Sequence, residues 1–258
     1  MRIVSLNTNG IRSAAKKGLY GWLARSKADV LCIQETKAQA ADLETDPQFF
    51  PQGWHVHLNS AVKKGYAGVA VYAREKPGAV LDKLGEKEFD DEGRYLELRF
   101  GRLSVVSLYL PSGSAGPERQ ASKDRFLRFF LPKLKEWRGN GRDYVLCGDW
   151  NIAHRNMDLK NWKSNQKNSG FLPHERAWLD EVFGTLGWVD GYRHLHANVE
   201  GEAYTWWSQR GAAYAKNVGW RIDYQIVTPG MAAKLNKAIV YKDEKFSDHA
   251  PLIMDYAA

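Results

Sequence analysis

The 258-residue chain has only two cysteines, Cys32 and Cys147, and each follows a leucine inside an apolar run. So few cysteines argue against a disulfide framework and predict buried, unreactive thiols in a reducing compartment. No apolar run approaches the roughly 20 residues that a membrane span requires. The strand-like run "RIVSLN" follows Met1 directly, without the apolar region of a signal peptide. The sequence therefore predicts a cytoplasmic protein with no membrane partner.

Motifs that define several other enzyme classes are also missing. The sequence has no glycine-rich phosphate-binding loop, no His/Cys spacing typical of zinc sites and no nucleophile elbow around a serine. No low-complexity stretch or linker divides the chain, so we expect a single domain over residues 1–258. These absences leave oxygen-bearing and amide side chains as the candidates for chemistry.

The charge balance is strongly basic, with a formal net charge of +7 and a pI near 9.2. An excess of lysine and arginine favours a polyanionic partner, and nucleic acid before a membrane surface. A basic pI can also serve solubility alone. Charge by itself therefore does not establish nucleic acid binding.

Short β-branched runs alternate with helical patterns along the chain. Helical spacing of apolar residues predicts helices over 13–27, over about 117–138 with Pro132 as a kink or break, and after Pro173. The alternation predicts an α/β sandwich in which helices cover mixed sheets. Nine runs have the composition of strands: "RIVSLN", "ADVLCIQE", "WHVHLN", "GVAVYAR", "YLELRF", "LSVVSLYL", "DYVLCGDW", "WRIDYQIV" and "PLIMDY".

Polar side chains lie at or beside the ends of six of these runs. Any one of them could be a turn or cap residue. Together they are typical of a site built at the rim of a sheet, and their oxygen-rich chemistry suits Mg²⁺ or Mn²⁺ at a phosphate. They are Asn7, Asn9, Glu35, Tyr109, Asp149, Asn151, Asp223, Asp248 and His249.

The segment "YVLCGDWNIAH" gives the clearest local hypothesis. Asp149 and Asn151 lie two positions apart, and residues two apart on an extended strand point to the same face. The two halves of the chain share a weak similarity here, since "DVLCIQE" and "DYVLCGD" both consist of an apolar strand followed by an acid. We therefore expect Asp149 and Asn151 to meet one water molecule and one phosphate.

Longer motifs cover essentially the whole chain: "NTNGIRS", "LCIQETK", "KKGYAGVAVY", "SLYLPSG", "CGDWNIAH", "NSGFLPHERAW", "YTWWS", "VGWRIDYQIV" and "FSDHAPL". In this order they resemble the exonuclease III family of abasic-site (AP) endonucleases. "QET", "GDWN" and "SDH" alone indicate only the wider endonuclease/exonuclease/phosphatase superfamily, whereas "KNSGFLPHER" and "KNVGWRIDY" point to its DNA-repair branch. The resemblance implies a deoxyribonuclease I-like, four-layered α/β sandwich of two packed mixed sheets flanked by helices, with the active site at one rim.

The resemblance also implies a metal site. Glu35 matches the family's principal Mg²⁺ ligand, which holds the ion against a phosphate oxygen; Mn²⁺ is the expected substitute. Asn7 supports this cluster, and Asp248 can ligate or orient the metal. Family mechanisms differ on one or two ions, and a second ion would be held by Asp149, Asn151 and His249.

Catalytic roles carry over in the same way. Asp149 matches the residue that orients and deprotonates the attacking water, and Asn151 matches a carboxamide that contacts that water or the phosphate. Tyr109 matches a phenol at the scissile phosphate, where it stabilises charge or assists the leaving oxygen. His249, paired with Asp223, matches a histidine that donates to a phosphoryl oxygen.

The substrate pocket is implied by three apolar residues. Trp206, Trp220 and Ile222 match the walls that accept a flipped abasic deoxyribose, although core packing would explain the tryptophans without the family match. Positions near the DNA backbone are matched by Arg12, Lys37, Tyr66, Asn165, Lys167 and Asn168. Arg210 lies where relatives push a side chain into the DNA stack.

Three departures from the family pattern bear on substrate preference. Asn9 stands where several relatives have aspartate, and Ser112 replaces an asparagine that contacts phosphate in some relatives. The loop "SGSAGPER" lacks an arginine that some relatives insert into DNA. These changes affect the tightness of product binding and the balance between nicking and 3′-end trimming.

The expected function is that of a Mg²⁺-dependent DNA-repair phosphodiesterase acting as a monomer on double-stranded DNA with abasic sites or blocked 3′ ends. It would cut 5′ to the abasic site and leave a 3′-hydroxyl, with 3′-phosphatase, 3′-phosphodiesterase and 3′-to-5′ exonuclease activities beside this. The alternatives are a mainly 3′-end-processing exonuclease or phosphatase, a small-molecule or lipid phosphatase, and a nucleic-acid-binding protein with a dead site. The last requires a missing catalytic group, and the main ones are present.

Overall fold

A computed structural model describes residues 1–257. Its strands are β1 (Arg2–Asn7), β2 (Val30–Gln34), β3 (His55–Asn59), β4 (Val69–Ala73), β5 (Ala79–Leu81), β6 (Tyr95–Phe100), β7 (Leu103–Tyr109), β8 (Asp143–Asp149), β9 (Val189–Asp190), β10 (Trp206–Trp207), β11 (Gly219–Trp220), β12 (Asp223–Val227), β13 (Leu235–Val240) and β14 (Leu252–Tyr256). Its α-helices are α1 (Ile11–Lys16), α2 (Leu19–Arg25), α3 (Ala40–Leu43), α4 (Lys87–Asp90), α5 (Pro117–Gly139), α6 (Trp162–Asn165), α7 (Pro173–Asp180), α8 (Gly191–Leu195) and α9 (Pro229–Ala232).

The strands form two six-stranded mixed sheets and a two-stranded ribbon. The first sheet has the order β13-β14-β1-β2-β4-β3, the second has β5-β6-β7-β8-β12-β9, and β10 pairs with β11. β1 and β2 are parallel, as are β7 and β8, while the remaining neighbours are antiparallel. Parallel neighbours need a crossover connection. Here α1 and α2 connect β1 to β2, and α5 connects β7 to β8. The two similar segments "DVLCIQE" and "DYVLCGD" contain β2 and β8, and each of these is the second strand of a parallel pair.

The two sheets pack face to face over an apolar core. The first sheet contributes Val30, Cys32 and Val71, and the second contributes Val105, Val145 and Cys147. Both cysteines are free and fully buried in this layer, as the sequence predicted. Removal of this apolar surface from water is what holds one sheet on the other.

Helices cover the outer faces of both sheets. Trp22 and Leu23 of α2 pack with Leu31 on the first sheet, while Phe126 and Phe130 of α5 pack in a cluster with Leu146 on the second. The layer order is therefore helix, sheet, sheet, helix, and the predicted four-layered sandwich is confirmed. None of the helices within residues 1–257 is both long enough and apolar enough to cross a membrane.

Two helix predictions need correction. The helix predicted over 13–27 is split into α1 and α2, because Gly18 takes a left-handed φ of 90° between them. The predicted break at Pro132 is wrong, since α5 continues through it to Gly139. Pro132 and Arg128 are both exposed, so water can reach the carbonyl of Arg128 that loses its helical hydrogen bond.

The strand predictions fail mainly in short or divided segments. The run "WRIDYQIV" is divided, with β11 ending at Trp220 and β12 beginning at Asp223. The short strands β5, β9 and β10, and the six-residue strand β13, were not predicted. β5, β9 and β13 are edge strands, and their pairing depends on a neighbour rather than on their own apolar pattern.

The topology brings six strand ends to one rim. β1, β2, β7 and β8 deliver their carboxyl ends there, whereas β12 and β14 run antiparallel to β8 and β1 and begin there. In the second sheet Asp149 is directly opposite Tyr109 on one side and Asp223 on the other. Three polar side chains from three adjacent strands therefore lie side by side.

Candidate active site

A cavity of about 520 Å³ opens at this rim. Most of the predicted catalytic, metal and sugar-pocket residues line it, while Asn7 and Asp223 lie buried behind the lining. The lining comprises Glu35, Tyr109, Ser112, Gly113, Ser114, Gly116, Asp149, Asn151, Lys167, Asn168, Ser169, Gly170, Trp206, Trp220, Ile222, Asp248 and His249.

Asn7 links the carboxylates of the two sheets. Its Nδ2 donates to Glu35 Oε1 at 2.8 Å and to Asp149 Oδ2 at 2.9 Å. Its Oδ1 accepts the backbone N–H of Asn9 at 2.9 Å, which occupies one lone pair and fixes the amide orientation. Asn7 therefore holds Glu35 and Asp149 together from behind the cavity.

Asp223 and His249 form a buried pair on the other side of Asp149. His249 Nδ1 lies 2.8 Å from Asp223 Oδ2, and Thr205 Oγ1 donates to the same Asp223 oxygen at 2.6 Å. His249 Nε2 lies 3.9 Å from Asp149 Oδ2 and faces the cavity. Burial lowers the pKa of His249, but Asp223, Asp149 and Asp248 together raise it to about 10. The imidazolium is therefore the form at neutral pH.

The environments of the two bridged carboxylates differ. Burial, together with the negative charges of Asp223 and Glu35, raises the pKa of Asp149 to about 7. The pKa of Glu35 is lowered, because Lys37 at 2.8 Å and Asn7 outweigh the effect of burial. Carboxylates whose pKa values are pushed apart in one site are suited to different tasks, with Glu35 as a fixed charge and Asp149 as a proton acceptor.

The same-face explanation for Asp149 and Asn151 is wrong in its mechanism. β8 ends at Asp149, and Asn151 has a left-handed φ of 53° rather than an extended one. Asp149 Oδ1 accepts the backbone N–H of Asn151 at 2.9 Å, and Asn151 Nδ2 donates to the carbonyl of Leu110 at 2.9 Å. A tight turn, not strand alternation, brings both side chains to the cavity.

Within residues 1–257, four of the eight non-glycine residues with a left-handed φ lie at or beside this rim. Among non-glycine residues, Asn9 has a φ of 45°, Glu35 of 51°, Lys37 of 49° and Asn151 of 53°. Such conformations are unfavourable for residues with a Cβ and persist where surrounding contacts fix them, often in functional sites. This strain gives independent support for a functional site at the rim.

A buried ion pair beneath Asn151 was not predicted. Lys123 and Glu175 are both fully buried and lie 2.7 Å apart, and Lys123 Nζ donates to the carbonyl of Asn151 at 2.8 Å. Glu175 Oε2 accepts the backbone N–H groups of Gly170 at 2.7 Å and Leu172 at 3.2 Å. The pair joins the turn after β8 to the loop that carries Lys167 and Asn168.

The donor set fits a hard divalent cation. Asp149, Asp223 and His249 offer ligand atoms within 4.8 Å of one another, but Asp223 and His249 already satisfy each other at 2.8 Å. Glu35, which is partly exposed, and Asp149, which is buried, instead present carboxylates that share one amide nitrogen. The carboxylates of Glu35, Asp149 and Asp248 all line the cavity, and such oxygen ligands suit a hard divalent cation.

The two tryptophans form one wall of the cavity. Trp206 and Trp220 pair across β10 and β11, and their rings meet edge to face with centroids 6.4 Å apart. Both are only partly buried, whereas Ile222 behind them is 6% exposed. Gly170 packs against Trp220, and a Cβ at Gly170 would lie 3.2 Å from the ring. The rings therefore pack on a small apolar cluster and also line the cavity.

The predicted DNA contacts are not all in one place. Lys167 and Asn168 line the cavity, and Lys37 binds Glu35 at 2.8 Å. Asn165 accepts a hydrogen bond from Asn168 at 2.8 Å just outside the cavity. Three predicted contacts lie outside the cavity lining. Arg12 is exposed on α1, and Arg210 is exposed in a loop. Tyr66 lines a second cavity beside Arg119.

The family of the chain follows from sequence comparison. A model of the Endonuclease/Exonuclease/phosphatase family matches residues 4–249. An exodeoxyribonuclease from Bacillus subtilis is 38% identical over 253 residues, covering 98% of each chain. A DNA-(apurinic or apyrimidinic site) endonuclease from Dictyostelium discoideum is 34% identical over 258 residues, covering 98% of this chain and 69% of that protein.

Solved structures agree with this assignment. An AP endonuclease from Archaeoglobus fulgidus superposes with a TM-score of 0.89 at 27% identity, covering all of both chains. The 3′ phosphatase NExo from Neisseria, bound to a product DNA hairpin, has the same TM-score at 25% identity and the same coverage. The chain belongs to the endonuclease/exonuclease/phosphatase family, within its exonuclease III branch of AP endonucleases.

Proposed function

We propose that this nuclease is a Mg²⁺-dependent DNA-repair phosphodiesterase that hydrolyses the backbone 5′ to abasic sites. The observation that carries the proposal is the place of Asp149, which lies between the Asn7–Glu35 link and the Asp223–His249 pair, in a cavity walled by two tryptophans. One rim thus offers a carboxylate for the role of base, a positively charged donor and an aromatic-walled cavity for a sugar. The products would be a 3′-hydroxyl and a 5′-deoxyribose phosphate.

Asp149 is the proposed general base. Its carboxylate takes a proton from water as the water oxygen attacks phosphorus, and the bond from phosphorus to the 3′ oxygen of the preceding nucleotide breaks. That oxygen becomes the 3′-hydroxyl with a proton from Tyr109 or from solvent. The pKa of Asp149, about 7, supports the role, because a general base works best when its pKa is near the working pH.

His249 and Asn151 are the proposed phosphate contacts. The charged imidazole, held by Asp223 through Nδ1, keeps Nε2–H available to a phosphoryl oxygen. The Asn151 side chain lines the same cavity, where it can contact the phosphate or the attacking water. Donors fixed in advance stabilise the charge that develops at phosphorus.

Glu35 is the proposed principal holder of the ion, with Asn7 beside it and Asp248 as a further carboxylate at the cavity. When bound there, Mg²⁺ would supply neutralisation of the phosphate charge and polarisation of a phosphoryl oxygen. Mn²⁺ has similar oxygen-ligand chemistry and is the proposed substitute.

The proposed partner is double-stranded DNA, bound by a monomer. A net charge of +7 favours a polyanion, and Lys167 and Asn168 flank the slot that would take the flipped sugar. Contacts of this kind position the backbone without reading sequence. A sugar that still carries its base would collide with the walls formed by Trp206 and Trp220.

A second candidate is an enzyme that acts mainly on blocked 3′ ends. The 3′ phosphatase NExo is as similar in fold as the AP endonuclease, each with a TM-score of 0.89. The loop at 112–116 also presents only Ser112, Gly113, Ser114 and Gly116 to the cavity, while Arg119 on α5 lines the second cavity instead. Small residues leave that side of the cavity open to a 3′-terminal group.

One assay separates these functions. Three duplexes of the same sequence, one with an abasic site, one intact and one with a 3′-phosphate, are incubated with the protein with and without Mg²⁺. We expect Mg²⁺-dependent cleavage of the abasic duplex to be fastest. Faster release of 3′-phosphate would favour the second candidate, and activity on inositol or lipid phosphates with no DNA cleavage would contradict both.

The tryptophan wall gives a prediction about specificity. Trp220→Ala should lower cleavage of abasic DNA about tenfold, because loss of about 1.4 kcal/mol of apolar contact with the sugar is a factor of ten. Cleavage at undamaged nucleotides should fall less or rise, since the slot becomes wider. Both rates are measured on one duplex sequence after circular dichroism shows that the variant is folded.

Trp54→Ala is a matched control, because Trp54 is also partly buried but packs on Tyr72 and Arg74 of the first sheet. It should leave the ratio of the two rates unchanged. An equal loss on both substrates in folded Trp220→Ala would contradict the role of Trp220 as a specificity wall.

A further inference from the structure

Arg94 is a fully buried cation beside the proposed catalytic tyrosine. It is 1% exposed, and its guanidinium carbon lies 4.7 Å from the centroid of the Tyr109 ring. Its Nε is 2.5 Å from Glu92 Oε2, and its Nη2 donates to Tyr66 Oη at 3.0 Å. Burying a charge is unfavourable unless it is paired, and here Glu92 supplies the opposite charge while Tyr66 accepts a hydrogen bond.

Arg94 also fixes the backbone of Tyr109. The N–H of Tyr109 donates to the carbonyl of Arg94 at 2.9 Å, and Arg94 Nη1 donates to the carbonyl of Tyr109 at 3.0 Å. The same guanidinium therefore contacts both the main chain and the ring face of one residue. A planar group with five donors in a fixed fork can do this, whereas an ammonium group cannot.

The position of Arg94 bears on the hydroxyl of Tyr109. Tyr109 ends β7 beside Asp149 and lines the cavity, so a small change in its χ1 angle would move its hydroxyl away from the proposed position of the phosphate. A cation over an aromatic face is attracted to the π electrons and restrains the ring. The positive charge of Arg94 also stabilises negative charge on the phenol oxygen, which makes the phenolic O–H a stronger hydrogen-bond donor.

We propose that Arg94 is a positioning residue for Tyr109: it holds the ring in place and strengthens its hydroxyl as a donor to the reacting phosphate. This inference rests on the proposed role of Tyr109 in phosphodiester cleavage. Glu92 supports Arg94, and Arg119 Nη1 lies 3.2 Å from the other carboxylate oxygen of Glu92. The chain Arg119–Glu92–Arg94 thus runs from the second cavity to the active site.

A double-mutant cycle with Tyr109→Phe tests the proposal. Arg94→Lys keeps the charge but loses the forked contacts, and should lower kcat about tenfold with KM changed less than about twofold. Combined with Tyr109→Phe, it should cost less than about twofold further, since the hydroxyl on which it acts is gone. Arg94→Met, which also removes the charge, should lower kcat more than Arg94→Lys does.

The controls separate this proposal from a purely structural role. Arg99→Lys, on the strand β6 that begins directly after Arg94, removes a guanidinium paired with Glu97 at 2.6 Å and should leave kcat unchanged. If Arg94→Lys does not fold, Glu92→Gln removes the charge that holds Arg94, and its effect on kcat should likewise vanish in the Tyr109→Phe background. Equal fold losses in the wild-type and Tyr109→Phe backgrounds would overturn the proposal.

The cycle is run on whichever of the abasic and 3′-phosphate duplexes the wild-type protein cleaves faster. A wild-type preference for the 3′-phosphate would revise the proposed function and still leave the cycle measurable. The two ideas are therefore contradicted by different results.

Discussion

Asp149→Asn is expected to lower the turnover of abasic DNA cleavage by about 10²- to 10⁴-fold, the range of general-base catalysis. The substitution keeps the size of the side chain and removes its ability to accept a proton. In Asp149, one carboxylate oxygen accepts the backbone N–H of Asn151 and the other accepts the Asn7 side chain. The asparagine that replaces it therefore places its NH₂ group against one of these two donors. Single-turnover rates under saturating enzyme measure the effect on chemistry directly.

Binding should survive this change. The basic residues expected at the DNA backbone are untouched, so the dissociation constant for abasic duplex should change less than about threefold. Asp143→Asn, at the opposite end of β8, is the matched control and should retain both binding and turnover. Loss of binding in parallel with turnover would make Asp149 a structural residue.

Removal of the metal should have an effect of similar size. EDTA should abolish cleavage, and added Mg²⁺ or Mn²⁺ should restore it. Glu35→Ala should lower the rate by about 10³-fold at ordinary Mg²⁺, because charge neutralisation by a metal stabilises the transition state by several kcal/mol. Partial recovery at high Mg²⁺ is expected, since the carboxylate of Asp248 remains at the cavity.

Glu136→Ala is the comparison for this experiment. Glu136 is 67% exposed near the end of α5, and its removal changes the net charge equally. Its rate and its Mg²⁺ dependence should match those of the wild type. Full activity of the wild-type protein in EDTA would contradict the metal hypothesis.

The sequence predicted the layers of the fold because its central strands are buried by composition alone. Val30–Gln34 and Val69–Ala73 are buried at every position, and such runs are recognisable without knowledge of their neighbours. β9, β10 and β11 have only two residues each, so their pairing depends on tertiary contacts. The division at Gly18 was missed because the apolar spacing continues through it.

The site was predictable as a set of residues and not as a network. Strand ends indicated the members, but the link made by Asn7 and the support of Asp223 by Thr205 depend on contacts between distant segments. Lys123 had a visible signal, since it continues the buried stripe of Phe126, Phe130 and Leu134 on α5. A lysine in an apolar stripe indicates a buried partner, although not which one.

Because of the link through Asn7, the geometry of this candidate active site depends on the relative position of the two sheets. Asn7 and Glu35 belong to the first sheet and its rim, and Asp149 belongs to the second, so one amide spans the interface. If one sheet slipped over the other by a single residue, about 3.3 Å, Asn7 could no longer donate to both carboxylates. The candidate site is thereby tied to the apolar layer between the sheets, and a chain that has formed both sheets without joining them has not assembled it.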